Sequence, residues 1–308
     1  MKDEIGVSVI IPNYNCLASL PRAIESVRSQ NVTVEIIIID DGSTDGSREW
    51  LKSQGDVKVI HTHRLGASGA RNMAITHCQY DLIAFLDADD YWLEGKLQHQ
   101  LTLHVLSPNI MFSFCDYYHV TEAGDLTYSC FQYWPRFKGF MKQKGHHIVE
   151  DKIFRHLFAE NVVGTSTVVA NKLAVMAVGG FDESLKSASD WDLWLKLARC
   201  GKVGIVNRPL CHYIFDREGA ISRDHEKRLN AIRVILSRHR NAMKQYPRYL
   251  IAGYLRWITS IAECNREERI YWLSLSQEVF VCCLQPSRRH LRAMAGDALR
   301  IMMFKKAK

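Results

Sequence analysis

An α/β fold is the class this sequence predicts: a doubly wound, mostly parallel sheet flanked by helices, followed by a helical C-terminal extension. Three observations carry that expectation. The apolar runs Glu35-Ile-Ile-Ile-Ile-Asp-Asp-Gly-Ser and Leu82-Ile-Ala-Phe-Leu-Asp-Ala-Asp-Asp do not alternate with polar residues, and so read as strands buried on both faces of a parallel sheet. Through the first hundred residues such strands alternate with helices across short loops of Gly, Asn, Asp and Pro, which argues for right-handed βαβ crossovers. After Asp224 the chain turns helical and arginine-rich to its end. The length of 308 residues exceeds one typical domain but fits one large α/β domain with a helical appendage.

In order, the expected elements are strand Val7 to Ile11, helix Ser19 to Gln30, strand Val34 to Ile39, helix Thr44 to Ser53, strand Val57 to His61, helix Ala67 to Thr76 and strand Leu82 to Leu86. Parallel sheets place ligands beyond the carboxyl ends of their strands, so Asp40, Asp41, Asp87 and Asp89 are expected at one edge. Carboxylates stacked there suit a divalent metal, a ribose and a base. Asp-Asp-Gly-Ser alone also reads as a strand-to-helix turn capped by Ser43, Thr44 or Asp45; the second carboxylate pair favours a site. No Gly-x-Gly-x-x-Gly fingerprint follows the first strand, where Pro12-Asn13-Tyr14-Asn15 stands, and a dinucleotide cofactor is disfavoured. From Leu93 to Glu160 the pattern loosens into a helix, strand-like Ile110 to Val120 and an aromatic stretch from Phe131 to Phe137, read as an acceptor-facing region. Order returns at Asn161 to Asp192, where Trp191, Leu193, Trp194, Leu195, Leu197 and Ala198 mark a helix with Asp190 in its first turn. Pro247 and Pro286 are expected breaks in the helical end.

Composition removes several classes. Nine cysteines occur without a Cys-x-x-Cys spacing, so they read as reduced thiols and neither a zinc site nor a redox motif is expected. The opening Met1-Lys-Asp-Glu lacks the pattern of a signal peptide, so export is not expected. The most apolar stretch, Val162 to Phe181, is interrupted by Thr165, Ser166, Asn171 and Lys172, and no membrane span is expected. The net charge of +7 is concentrated at the end, where Arg288, Arg289, Arg292, Arg300, Lys305, Lys306 and Lys308 face Asp297 alone. Interleaved with Leu291, Met294, Leu299, Ile301, Met302, Met303 and Phe304, these charges fit either an amphipathic helix on an anionic membrane surface or a solvated helix packed on its own domain. No nucleic-acid motif accompanies them, and no nucleic acid is expected as a partner.

These motifs together resemble the nucleotide-sugar glycosyltransferases of family 2, which have the GT-A fold, over Val7 to Ser222. The resemblance implies a catalytic domain over 1–222, with a nucleotide-binding half (1–92) and an acceptor-binding half (93–222), and a basic, membrane-proximal extension over 223–308. It lays Pro12, Tyr14 and Asn15 against the nucleobase, with Tyr14 stacking on uracil and Asp41 accepting from its imide. It turns Arg71, in Gly66-Ala-Ser-Gly-Ala-Arg-Asn, toward the diphosphate, where Gly69 permits close approach. It assigns Asp87 to the ribose and Asp89 to Mn²⁺ or Mg²⁺, and makes Asp190 the catalytic base. Asp192 is either a rival for that role or a surface carboxylate, and residues two apart on a helix do not face the same way, which favours Asp190; Asp190 also reads as a plain helix cap. His212 is open between a metal or phosphate contact and a structural one, as is Arg217, because Ile214 and Phe215 depart from the family's Tyr-Arg pattern. Trp191 and Trp134 are placed at the acceptor, with core packing as the alternative for Trp134. His61, His63, His146 and His147 read as surface residues and Asp90 as a turn residue or weak metal neighbour.

By the resemblance the chain is an inverting, metal-dependent transferase that passes a hexose from a UDP-sugar to a sugar on polyprenyl diphosphate at the cytoplasmic face of the inner membrane, in O-antigen or capsule assembly. Glucose, β-linked to GlcNAc, is the expected pair. Two other classes remain. A sugar-nucleotide nucleotidyltransferase would need a Gly-rich, basic loop after the first strand, which Asn13-Tyr14-Asn15 does not supply. A non-catalytic scaffold of a polysaccharide assembly complex would lack the base or the metal ligand, and Asp41, Asp89 and Asp190 are all present.

Overall fold

Four consecutive isoleucines, Ile36 to Ile39, can all be buried only in a strand covered on both faces, and they fill the middle of the nucleotide-side sheet. The computed structural model describes residues 5–142, 147–215 and 224–306; the expectations for Arg217 and His146 fall outside them. The first half runs β1 (Val7–Asn13), α1 (Leu20–Arg28), β2 (Val34–Asp40), α2 (Ser47–Leu51), β3 (Val57–His61), α3 (Gly66–Ile75) and β4 (Leu82–Phe85). Next come β5 (Tyr91–Trp92), α4 (Lys96–Leu106), β6 (Ile110–Val120), β7 (Leu126–Ser129), α5 (Cys130–Tyr133), α6 (Pro135–Met141), β8 (His147–Glu150) and α7 (Phe154–Ala159). A 3₁₀ turn at Thr165–Thr167 leads into β9 (Val168–Asn171), α8 (Lys172–Ala177), α9 (Ser189–Cys200) and β10 (Lys202–Ile214). Four helices close the chain: α10 (His225–Met243), α11 (Pro247–Glu267), α12 (Tyr271–Leu284) and α13 (Arg288–Lys306).

The sheet order is β3-β2-β1-β4-β9-β6-β10-β5, with β7 beside β6 and β8 beside β10. Strands β3, β2, β1 and β4 are parallel, as is the long pair β6 and β10. The short β9 runs antiparallel between β4 and β6, an insertion that the βαβ rhythm did not predict. Nor was β10 read from the sequence. Its register shifts around Pro209, which lacks the N–H that a regular central strand requires and so sits at an irregularity. The core between sheet and α9 is aromatic: Trp194 lies 5.8 Å from Phe85 and 5.4 Å from Phe112, and Phe85 meets Phe181 edge-on at 5.3 Å. Lys96 is fully buried, over Trp92 and bonded to Gln100 Oε1 at 2.7 Å; burial holds its ammonium down at about 8.

Two compact units result. One comprises Met1–Leu157, Asn161–Leu185 and Ser189–Ala220; the other comprises Phe158–Glu160, Lys186–Ala188 and Ile221–Lys308. In the second, Asp224 caps α10 by accepting from Lys227 N at 3.0 Å, and Pro247 opens α11, where its missing N–H costs nothing. Asp297 turns inward from α13 and accepts from Arg266 at 2.8 and 3.0 Å and from Ser274 at 2.7 Å. The only acid expected among the tail's cations is therefore a buried structural group. No helix among the described residues is long and apolar enough to cross a membrane.

Candidate active site

At the carboxyl edge of β1 and β2 the backbone turns sharply, and side chains hold it. Asn13 Nδ2 donates to Asp40 Oδ1 at 3.1 Å and Ser43 Oγ at 3.0 Å, while Asn15, with φ of 53°, accepts from Thr44 N at 2.8 Å. Asp40 is buried. Burial alone would raise its pKa, but bonds from Ser43, His61, Arg48 and Asn13 outweigh it and hold the carboxylate ionised below its ordinary range. Asp40 thus fixes the turn, and Asp41 is the member of the pair aimed at the next element. It accepts from Thr62 Oγ1, Leu65 N and Gly66 N, each at 2.8 Å, at the start of α3, where backbone N–H groups favour an anion. Tyr14 is 42% exposed, with the guanidinium of Arg64 5.5 Å from its ring centroid and Arg64 Nη2 donating to its hydroxyl at 3.0 Å. No motif singled out Arg64, and this pairing makes it part of the Tyr14 platform.

Arg71 rises from the buried face of α3 and ion-pairs with Asp87. Its guanidinium lies 5.3 Å from the Phe181 ring, and Nε is buried with no hydrogen-bond partner. An orphaned cationic donor is costly unless an anion completes it, so Arg71 and its surroundings fit a phosphate-bearing ligand. Asp87 N donates to Ser166 Oγ at 3.0 Å, and that hydroxyl donates to Asp90 Oδ2 at 2.5 Å. Asp90 also accepts from Ile214 N at 3.0 Å, tying the Asp87-Ala88-Asp89-Asp90 turn to the end of β10. Burial first, then the charges of Asp89 and Asp87, push the Asp90 carboxyl well above its usual range. The expectation of a turn residue is met only in part, since Asp90 is a fully buried strut.

Asp190 sits in the first turn of α9. Its Oδ2 accepts from Thr165 Oγ1 at 2.9 Å and its Oδ1 from Trp191 N at 2.8 Å. Burial raises its pKa, opposed by the Thr165 hydroxyl and the charge of Arg71, while Asp87 adds to the rise. The Arg71–Asp87 ion pair, with the Thr165 hydroxyl donating to Asp190 and the adjacent Ser166 hydroxyl accepting from Asp87 N, gathers Arg71, Asp87 and Asp190 at one edge although they lie far apart in the chain. The turn Thr165–Thr167 joins them, with Thr165 on Asp190 and Ser166 on Asp87 and Asp90. Its Thr-Ser-Thr sequence carries no recognisable spacing, and sequence reasoning missed it.

Two expectations need correction. Trp191 is 1% exposed and its indole N–H donates to Leu157 O at 2.8 Å, so it packs in the core and does not face an acceptor. Asp192 is buried, with Lys196 Nζ at 2.7 Å, and is not a surface carboxylate. Trp134 is partly exposed, edge-on to Tyr133 at 5.0 Å; Tyr133 in turn stacks on Tyr128 at 4.9 Å. His212 Nδ1 shares a 2.5 Å hydrogen bond with Tyr91 OH, and burial, then the charge of Arg22, lower its pKa. Hard-cation chemistry suits the oxygen donors Asp87 and Asp89, yet no group of three or more His, Cys, Asp or Glu in ligand arrangement occurs among the described residues. That set fits Mg²⁺ or Mn²⁺ held by one or two carboxylates together with substrate phosphates, which is how such ions are usually bound at phosphate sites.

Residues 8–151 match the sequence profile of glycosyl transferase family 2. Two relatives from Escherichia coli are named UDP-Glc:alpha-D-GlcNAc-diphosphoundecaprenol beta-1,3-glucosyltransferases. WfaP is 38% identical over 117 residues, 36% of this chain and 46% of WfaP; WfgD is 26% identical over 210 residues, 67% of this chain and 74% of WfgD. The chain spans only about a third of uncharacterized glycosyltransferases from Rickettsia, 32% for that of R. conorii at 29% identity. Among solved structures, Staphylococcus aureus TarS 1-349 in complex with UDP-GlcNAc superposes with TM-score 0.61 at 15% identity, covering 99% of this chain and 93% of that one. The mannosyltransferase PcManGT from Pyrobaculum calidifontis, in complex with GDP-Man and Mn²⁺, gives 0.56 at 16%, covering 96% and 84%. The architecture is that of GT-A glycosyltransferases.

Proposed function

We propose that the chain is an inverting glycosyltransferase that moves a hexose, glucose in the first instance, from a UDP-sugar to a polyprenyl-diphosphate-linked sugar, GlcNAc in the first instance, in surface polysaccharide assembly. The observation that carries it is the convergence at one sheet edge of Asp87, Asp190 and Arg71, whose Nε lacks a partner. The names of WfaP and WfgD supply the donor, the acceptor and the 1,3 linkage to be tried first.

In this reading Tyr14 and Asp41 receive the uracil, Asp87 the ribose, and Arg71 donates to the diphosphate. Asp89, with Asp87 beside it, would hold a divalent cation that neutralises charge on the departing diphosphate. Asp190 takes the proton of the acceptor hydroxyl as the acceptor oxygen bonds to the anomeric carbon and the bond from that carbon to the diphosphate oxygen breaks; UDP leaves with the electron pair. Attack opposite the leaving group inverts the centre, and an α-linked donor gives a β-glycoside. His212, held by Tyr91, is assigned a supporting role at the end of β10, and Trp134 a contact on the acceptor side. The catalytic domain is taken as 1–222, and the basic α13 as a contact with the anionic cytoplasmic face of the inner membrane.

The test is UDP release from a panel of UDP-sugars with Mn²⁺, with and without a synthetic GlcNAc-diphosphate lipid, for wild type and Asp190→Asn. Acceptor-dependent release from one donor, abolished by EDTA and by the substitution, is expected; UDP failing to bind at all would remove the nucleotide-site assignments.

A further inference from the structure

The reaction uses nothing from Arg233 to Ala262, a stretch with six Lys or Arg and not one Asp or Glu. Within the helical unit, that stretch and α12 enclose an open groove of about 300 Å³. Its walls are apolar, built from Ile251, Tyr254 and Ile258 of α11 with Phe280 and Leu284 of α12, and Arg240 of α10 is the one charged lining residue among those described. Ile251 is 53%, Phe280 52% and Leu284 57% exposed, an apolar patch of a kind that marks an interaction surface in a soluble domain.

We infer that this groove receives a hydrocarbon chain from an anionic bilayer, so that the helical unit rests on lipid through α10 to α12. Charge decides the occupant. A second copy of the chain would set the same acid-free, cation-rich stretch against itself, and like charges across a closing interface oppose association. Lipid phosphates complement it: long basic side chains such as Arg240 and Lys244, both exposed, reach the headgroup layer while the residues beside them enter the acyl region. With no helix among the described residues able to span, the contact is peripheral. This deepens the membrane-contact part of the proposed function by placing the surface on the groove in addition to α13, and it depends on neither donor nor acceptor.

The test is cosedimentation of the full chain with vesicles of phosphatidylcholine alone and of phosphatidylcholine mixed with phosphatidylglycerol. Wild type should partition onto the mixed vesicles and be weakened by salt. Ile251→Ser with Phe280→Ser should lower partitioning about a hundredfold, each buried apolar side chain contributing about tenfold. Leu299→Ser with Met303→Ser, exposed on α13, should cost less, and Arg240→Ser should weaken binding only to the anionic vesicles. Both groove positions are exposed, and an unchanged urea-unfolding midpoint of the helical unit checks that the variant is folded. Partitioning of the groove variant equal to wild type would overturn the inference, as would a lipid-free dimer that the groove variant breaks. A wild type that binds vesicles but no UDP would sink the transferase reading and leave this one standing.

Discussion

Both units bury carboxylates matched to cations, as Asp40 with Arg48 and Asp192 with Lys196 show in the α/β unit, but the α/β unit also buries acids among other acids. In the helical unit Asp297 is bonded by Arg266, Arg300 and Ser274, and Arg266 also pairs with Glu278, which accepts from or shares a proton with His290 at 2.7 Å. Although burial alone would raise it, the bonds and charge of Arg266, with the Ser274 hydroxyl, hold Asp297 below the ordinary carboxylate range. In the α/β unit Asp90 and Asp190 are held by hydroxyls and backbone N–H groups and are pushed up, by burial first, with the charges of Asp89 and Asp87 adding at Asp90 and that of Asp87 adding at Asp190, where Arg71 opposes it. A buried acid matched to cations locks helices together. A buried acid set among other acids keeps unspent affinity for a cation or a proton, which is what a site that binds a metal and takes a proton needs.

Four measurements break or sharpen that contrast. The largest effect is expected at Asp190: Asp190→Asn should lower acceptor-dependent UDP release about a thousandfold while UDP affinity stays near wild type. Asp297→Asn should do the reverse, costing about 3 kcal/mol in urea unfolding of the helical unit by leaving Arg266 with Glu278 as its remaining carboxylate, with UDP binding retained. If the two variants failed alike, the distinction between matched and unmatched acids would not hold. Ser166→Ala strands Asp90 and frees the Asp87 turn, and should weaken Mn²⁺-dependent UDP binding by about tenfold in calorimetric titration. Thr165→Val is expected to be mildest and most specific. The Thr165 hydroxyl lowers a pKa that burial has raised, so its loss raises the Asp190 pKa further. A base works deprotonated; the acid limb of the rate profile should therefore move to higher pH, and an unmoved limb would show that Thr165 does not act through Asp190.

Sequence alone determined whatever depends on local pattern. Val57 to His61 and Ile110 to Val120 appear with the boundaries read from them, because β-branched and aromatic runs between turn residues are local signals. Pro247 and Pro286 separate helices as expected, since a missing N–H acts on its own turn. The carboxylates that end β2 and follow β4 were likewise legible from strand polarity. Tertiary structure decided the rest. Only the folding of β9 between β4 and β6 brings Thr165 and Ser166 to the carboxylates, and nothing in Thr-Ser-Thr announces that. Trp191 and Trp194 read alike as apolar helix positions, and only packing shows both to be core. Asp90 and Asp297 look like surface acids in the chain. Asp87 and Asp89, the acidic neighbours of Asp90, are local, but its burial against Ser166 and the end of β10, and the meeting of Asp297 with Arg266 and Ser274, join residues more than twenty positions apart. It is those contacts that separate a carboxylate left among acids from one matched to a cation.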